Sequence, residues 1–463
     1  MKTRTALIVL IAVTLAPMAF AQSEVILEPF SVYSPRIMGQ GGSASAVAAG
    51  YDALYNNPAA FADKKGSLTL GSFTAWGFAE PLPLLVATGL MPAADASLNY
   101  GYTYPSAYTL GTQPEDLDPT DSLYALPGDA SYDGNRGTIS TKAMLAFFQE
   151  EAKFGIGAGA AAGLGWVGGG LGLGAFMTQN VFLQGDTFPL GVSGPASTTF
   201  ALVGGFALPI RLGPMTLSVG GDIRPMIRAY TQLDAKAVTA MMDQLGIGSG
   251  SGSGSGMESM LAGLNGVTMY QGAALAIDFG AKLVLGDLTV ALSARDLFNT
   301  RFISMYGHKL GNYVNYLMTD GSLPPNTGNY YDLDSGTYDA TVNEITDTAF
   351  IIPMNISMGA AFHPNLGFLS FFFDPTVSVD LVDPIGVIRD KQSPWSLLHF
   401  GADVKMLRFI SLRAGINQGY VTAGFGVKLL FLDINASMFT RELGPYAGDR
   451  PNTGYTLEAA LRF

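Results

Sequence analysis

Three histidines, His308, His363 and His399, come first, because an imidazole can serve as a base or hold a metal. They are scattered, have no H-E-x-x-H spacing, and read as loop or interface residues. Ser396 precedes His399 by three positions, which on a regular strand puts the pair on opposite faces and leaves the hydroxyl without its base. Gly163-Leu-Gly-Trp-Val-Gly168 matches G-x-G-x-x-G in letters. Gly169, Gly170, Gly172 and Gly174 follow it where a dinucleotide site needs a helix. Glycines there suit a sharp bend and relief of crowding in a wall. Asp332, Asp334, Asp339, Glu344 and Asp347 match no calcium-loop spacing and read as a solvated acidic loop. The sequence therefore predicts no enzyme, no cofactor and no metal site.

A second set of residues points to binding. Val238, Met241, Met242 and Leu245 fall at i, i+3, i+4 and i+7, the spacing of one helix face. Met257, Met260, Leu261 and Leu264 repeat it beyond a Gly/Ser tether at 248–256. Two such helices can pack on each other as a lid. They can equally form an adaptable apolar groove for a hydrophobic ligand, since unbranched thioethers repack around varied shapes.

The elements that must position these residues are strands. From Met269 to Leu285 the side chains Ala273, Leu275, Ile277, Phe279 and Leu283 share one face, and Gly272, Ala274, Asp278 and Lys282 the other. Leu288–Arg295, Val421–Phe431 and Thr453–Phe463 repeat the pattern. Strands are also expected over Asp287–Arg301 and Phe368–Leu381, and Glu80–Glu151 reads as either a long loop alone or a loop with an extra hairpin around Ala96–Tyr104. Such alternation fits a soluble sandwich or a membrane barrel, which differ only in which face meets protein. The start of the chain supports the barrel. Lys2 and Arg4, the apolar run Ala6–Ala16 and Ala19-Phe20-Ala21 form a signal peptide over residues 1–21. Beyond it no apolar run is long enough for a membrane helix. Yet 48% of the residues are hydrophobic and 13% charged, with 58 glycines and 28 phenylalanines. An exported chain of that composition is expected in the outer membrane, as an all-β antiparallel transmembrane barrel of about fourteen strands over 66–463. Long outer loops are expected at 233–266 and 302–347, and tight turns on the side that holds Phe463. Loss of the signal takes the formal charge from −12 to −14, which excludes nucleic acid as a partner. The absence of cysteine excludes disulfides. Lumen-side charges, among them Asp278, Lys282, Arg295, Arg413, Asp433, Glu458 and Arg462, either pair with one another or line a polar conduit.

Residues 22–65 do not read as barrel. Gly39, Gly41 and Gly42 precede Ser43–Ala49, a small-residue stretch expected to form a thin helix, and Asn57-Pro58 begins another. A segment so narrow would fit inside a lumen. The Gly-Gly-x-Ala-x-Ala-Val-Ala stretch, Asn57-Pro58-Ala59, the barrel repeats and the terminal Phe463 together resemble the FadL-like outer-membrane proteins. The branch that includes PorV-like barrels is the nearest in appearance. Ala276-Ile-Asp-Phe-Gly-Ala, Leu412-Arg-Ala-Gly-Ile-Asn-Gln-Gly-Tyr and Glu442-Leu-Gly-Pro-Tyr-Ala-Gly fit that branch, while Ala60 departs from the glycine common after Asn-Pro-Ala. The resemblance implies a barrel plugged by an N-terminal hatch with Gly39, Gly41, Gly42, Asn57, Pro58 and Ala59 in its turns. It also implies Phe463 as the end recognised by the barrel-assembly machinery, and outer-membrane lipid around the wall. Its cargo would be fatty acids or other hydrophobic small molecules, caught in the outer-loop groove and released through a gap in the wall. The alternative from the same branch is a non-transporting barrel that binds a secreted partner protein.

Overall fold

The structure, a computed structural model, describes residues 24–63, 65–79, 152–185, 191–235, 237–238, 261, 264–320, 330–332, 337–339 and 348–463. The expected signal peptide and any hairpin near Ala96–Tyr104 lie outside them. The chain enters through β1 (Glu24–Ile26), α1 (Pro35–Met38) and two 3-10 helices, Gly50–Tyr55 and Pro58–Ala62. The wall begins with β2 (Ser67–Phe78), β3 (Ile156–Gly168), β4 (Leu171–Gly185), β5 (Val192–Leu212), β6 (Met215–Leu233) and β7 (Thr268–Leu285). It continues through β8 (Leu288–Arg295) and β9 (Thr300–Lys309), and the outer helix α2 (Leu310–Asp320) follows. A small hairpin, β10 (Tyr330–Asp332) and β11 (Thr337–Asp339), stands apart from the wall. Then come β12 (Ala349–Ile352), β13 (Asn355–Phe362), β14 (Phe373–Val382) and the short helix α3 (Pro384–Arg389). β15 (Leu398–Met406), β16 (Ile410–Asn417), β17 (Tyr420–Leu429), β18 (Leu432–Glu442) and β19 (Pro451–Arg462) complete the sheet.

Neighbours in sequence pair antiparallel, and β19 pairs with β2 from Gly454↔Phe78 to Leu461↔Gly71, so the sheet closes. β8 and β9 both pair with β7 and together make one wall strand; β12 and β13 make the next. The cylinder thus has 14 wall strands, an even number that leaves both wall ends, Ser67 and Phe463, on one rim. That rim is the inner rim below. β7 tells which face looks outward. Ala273, Leu275, Ile277 and Phe279 are exposed and Ala274, Ala276 and Asp278 buried, with Leu275 57% exposed and Asp278 3%. The same inversion runs round the wall, where Phe73, Leu173, Phe206 and Leu412 are exposed against buried Thr74, Arg224, Asp380 and Glu458. A surface of this kind is stable only against lipid. The wall is that of an outer-membrane barrel.

Residues 27–63 pack against lumen-facing residues of the wall. Close approach of backbone to wall depends on glycine. A Cβ on Gly280 would lie 2.0 Å from Asn57 Oδ1, and one on Gly41, at φ +73°, 2.1 Å from the Phe400 carbonyl oxygen. Thr456 donates to the Tyr33 carbonyl at 2.8 Å, Arg228 to the Glu28 carbonyl at 2.8 Å, and Lys282 to Asp63 at 2.5 Å. The lumen charges named above are ion-paired: Arg295 with Asp278, Arg413 with Asp403, and Arg462 with Asp433 and Glu458.

Four boundaries differ from the sequence reading. The loop expected to start at Phe302 starts at Leu310, because Phe302–Lys309 pairs with β7 (Ala274↔Phe302 to Thr268↔Lys309). The strand expected over Asp287–Arg301 is interrupted after Arg295. The strand expected from Phe368 begins at Phe373, after a 3-10 turn at Gly367–Phe371 entered with Gly367 at φ +60°. Ser43–Ala49 forms turns rather than a helix. Asp380 of β14 explains that: it accepts from Ser43 Oγ at 2.8 Å and from the Ala44 and Ser45 N–H groups at 2.9 and 2.7 Å, pulling these donors toward the wall.

Candidate functional site

The outer end of the lumen is roofed by an apolar cluster. Leu233 at the end of β6, Ala237 after it, Val267 before β7 and Leu310 of α2 cluster with Leu261 and Leu264. Val238 is 4%, Leu261 1% and Leu264 4% exposed. Leu261 and Leu264 therefore belong to a packed roof, and Val238 is buried as well. Met241, Met242, Leu245, Met257 and Met260 lie outside the described residues. α2 is tied down firmly: a Cβ on Gly311 would lie 1.6 Å from the Leu261 carbonyl oxygen. Asn312 N–H donates to Asn265 Oδ1 at 2.8 Å, and Tyr313 OH to Gln271 at 2.9 Å. Burial in this roof pushes the Tyr313 hydroxyl up to about 12. At its far end α2 exposes Leu317 and Met318.

Beneath the roof the lumen is aromatic. Phe30, Tyr51 and Tyr55 pack on Phe176 with ring centroids 5.7, 5.3 and 5.8 Å away. Tyr33 packs on Trp76 and Phe78 at 5.2 and 5.5 Å. Phe350 of β12 lies 5.0 Å from Tyr270. Most of these rings belong either to the inner segment or to the lumen face of a strand, so moving the inner segment would open an apolar surface.

The wall opposite is irregular. The β7–β9 ladder stops at Ala274↔Phe302 and the β7–β8 ladder starts at Phe279↔Ala294. Between them Leu297 N–H donates to the Ile277 carbonyl of β7 at 2.9 Å. Asp296, Phe298 and Asn299 have φ of +53°, +64° and +62°, and Phe298 is 73% exposed. The break is held from within. Asp296, 1% exposed, accepts from Arg224 at 2.9 Å and Thr300 at 2.8 Å, and its N–H donates to Asp278 at 2.7 Å. Phe30 covers Arg224, its ring centroid 5.3 Å from the guanidinium carbon. Arg224 Nε and Nη1, Arg295 Nη2 and Asp296 Oδ2 are buried without a hydrogen-bond partner among the described residues, so polar capacity remains open there. Beside the break β1 pairs parallel with β12, Glu24↔Ala349 to Ile26↔Ile351, and Leu27 N–H donates to the Ile351 carbonyl at 2.8 Å. Sequence reading missed this centre. Its trace was present in Arg295-Asp-Leu-Phe-Asn-Thr300, where alternation fails and Asp and Asn tolerate positive φ.

The other predicted residues are spread widely. Gly41 N–H donates to Thr422 at 3.0 Å, and His399 Nδ1 to the Gly41 carbonyl at 2.7 Å. A Cβ on Gly39 would meet Gly424 Cα at 2.9 Å, and one on Gly42 would meet His399 at 2.9 Å. Asn57 caps the second 3-10 helix by accepting from Ala59 N–H at 3.0 Å, with Pro58 at its start and Ala59 fully buried. His308 sits under α2 against Tyr313, and His363 pairs with Asp374 at 2.6 Å, so the three histidines do not converge. Phe463 stacks on Phe431 at 5.7 Å and exchanges backbone hydrogen bonds with Leu68.

No family model and no curated protein matches this chain. Among solved structures it is similar to the Ralstonia pickettii toluene transporter TbuX, at 11% identity and TM-score 0.42, covering 94% of this chain and 98% of that one. It is similar to the Pseudomonas putida toluene transporter TodX at 12% identity and TM-score 0.37, covering 95% and 99%. The outer membrane phospholipase A of Escherichia coli follows at 10% and 0.24, covering 84% and 92%. Likeness this distant leaves the fold to rest on the strand register and the function on the site.

Proposed function

We propose that this protein is an outer-membrane uptake channel for hydrophobic small molecules, with long-chain fatty acids as the first cargo to test. The observation that carries the reading is the wall break at Asp296–Asn299, set beside an aromatic lumen and backed by buried guanidinium groups with open donors. In this reading the ligand is captured outside by Met241, Met242, Leu245, Met257 and Met260, with the buried Val238, Leu261 and Leu264 as packed support. It then displaces part of the inner segment, which acts as a hatch, and leaves sideways through the break into lipid. Each methylene taken from water into such a path gains about 0.8 kcal/mol, and lateral release avoids returning it to water. A carboxylate head group would be met by Arg224 and Arg295. Three-residue pairing of β1 to β12 is short enough to be given up during passage.

Lipid extraction and mass spectrometry of the purified protein test the reading. A stoichiometric, stably bound amphiphile supports it. Its absence, together with a co-purifying protein partner, supports a partner-binding barrel instead.

A further inference from the structure

The connection 363–372 between β13 and β14 carries Leu366-Gly-Phe-Leu-Ser-Phe-Phe-Phe373 on the inner rim. Its side chains point away from the protein: Phe368 is 79% and Phe373 51% exposed, and Leu369, Phe371 and Phe372 are exposed as well. The next inner turn joins it, since Leu407 N–H donates to the Phe372 carbonyl at 3.4 Å. Arg408 of that turn lays its guanidinium over Phe371, 5.4 Å from the ring centroid. The following turn exposes Leu430 and Phe431, the latter stacked on Phe463. Inner turns elsewhere on the rim are built differently, from Gly169-Gly170, Gly213-Pro214 and Gly286-Asp287.

Strand length explains the asymmetry. β5, β6 and β7 have 21, 19 and 18 residues, far more than a bilayer requires. β15 and β16 have 9 and 8. At ordinary tilt an eight-residue strand rises roughly 20 Å along the membrane normal, short of the ~25 Å apolar belt of such barrels. On this arc the belt ends too early unless the turns extend it.

We propose that the inner rim from Leu366 to Phe373, with Leu407–Phe409 and Leu430–Phe431, is a membrane foot. Its partner is the periplasm-facing phospholipid leaflet, with the aromatic and leucine side chains at the head-group/acyl boundary and Arg408 at the level of the phosphates. Lipid is the occupant because Phe373 continues the lipid-facing row of its own strand into Val377, without a polar rim between. The Arg408 cation stacked on Phe371 fits an anionic head group as well.

The chain has no cysteine, so single sites can be spin-labelled cleanly. Phe368→Cys, Leu430→Cys and, as the glycine-rim control, Pro214→Cys are labelled, reconstituted in phosphatidylethanolamine/phosphatidylglycerol vesicles, and probed by collision with oxygen and a water-soluble nickel chelate. Heat-modifiable gel mobility confirms that each variant is a folded barrel. The foot predicts an oxygen-to-nickel ratio several-fold higher at 368 and 430 than at 214. Nickel access at 368 equal to that at 214 overturns the proposal. Protection of 368 from both reagents overturns it too, because protein rather than lipid would then cover the foot.

Discussion

Arg224 on β6 donates to Asp296 at 2.9 Å, tying one intact wall strand to the first residue of the break in another. The pair is fully desolvated, with Arg224 0% and Asp296 1% exposed, and Asp278 lies 3.5 Å from the same nitrogen. The irregular wall is thereby anchored by charge instead of by a strand ladder.

Removing that anchor should be costly. Arg224→Met leaves Asp278 and Asp296 buried with less compensation, a change of about 3–5 kcal/mol for a buried ion pair. A lowered thermal transition is expected, with faster hydrogen exchange at 296–300 than elsewhere in the wall. Exchange unchanged at 296–300 would show that the break is held by something else.

The inner segment should depend on Asp380. Its carboxylate takes three donors from Ser43, Ala44 and Ser45, and hydrogen bonds to a charged group contribute about 1.5–3 kcal/mol each. Asp380→Ala is expected to loosen 39–45 and raise ion conductance in planar bilayers above that of the parent protein. Conductance equal to the parent would place the seal elsewhere.

The roof gives a separable prediction. Met241, Met242 and Met260 changed together to Ser should weaken binding of a fluorescent fatty acid, while the melting of the wall stays unchanged. Leu261→Ala should do more, because Leu261 is core: about 2–5 kcal/mol of local packing is lost and α2 loosens. Fatty-acid titration and hydrogen exchange of 310–320 distinguish the two effects. Full-strength binding by the triple Ser variant would remove the methionines from the capture site.

Much of this architecture was legible in particular residues. Met269–Leu285 alternates so regularly that it divides into two faces, and the expected export signal together with so few charges pointed to the apolar one as the face that meets lipid. Phe302–Lys309 was not legible as wall. Its Tyr, Gly, His and Lys resemble loop composition, and its register is fixed only by pairing with β7. The parallel contact of Glu24–Ile26 with Ala349–Ile351 joins segments too distant in sequence for any local pattern to record. The break at 296–299 was half visible, as positive-φ residue types inside a strand, but the buried Arg224 that stabilises it comes from another strand. Val238, Leu261 and Leu264 were read as parts of two apolar helical faces, and all three are buried. Whether those faces meet a ligand or protein depended on α2, which periodicity in 234–266 does not contain.

The central claim is passage of a hydrophobic molecule past the inner segment and through the wall. Val25 and Phe350 are register partners in a chain without cysteine, so Val25→Cys/Phe350→Cys can clamp β1 to β12 by oxidation. Uptake of a fluorescent long-chain fatty acid is then followed in cells lacking other carriers for it. We expect uptake above the empty-vector level with the parent chain, loss on oxidation of the paired variant, and recovery on reduction. Uptake no greater than the empty vector, or equal in oxidised and reduced variant, would contradict the account.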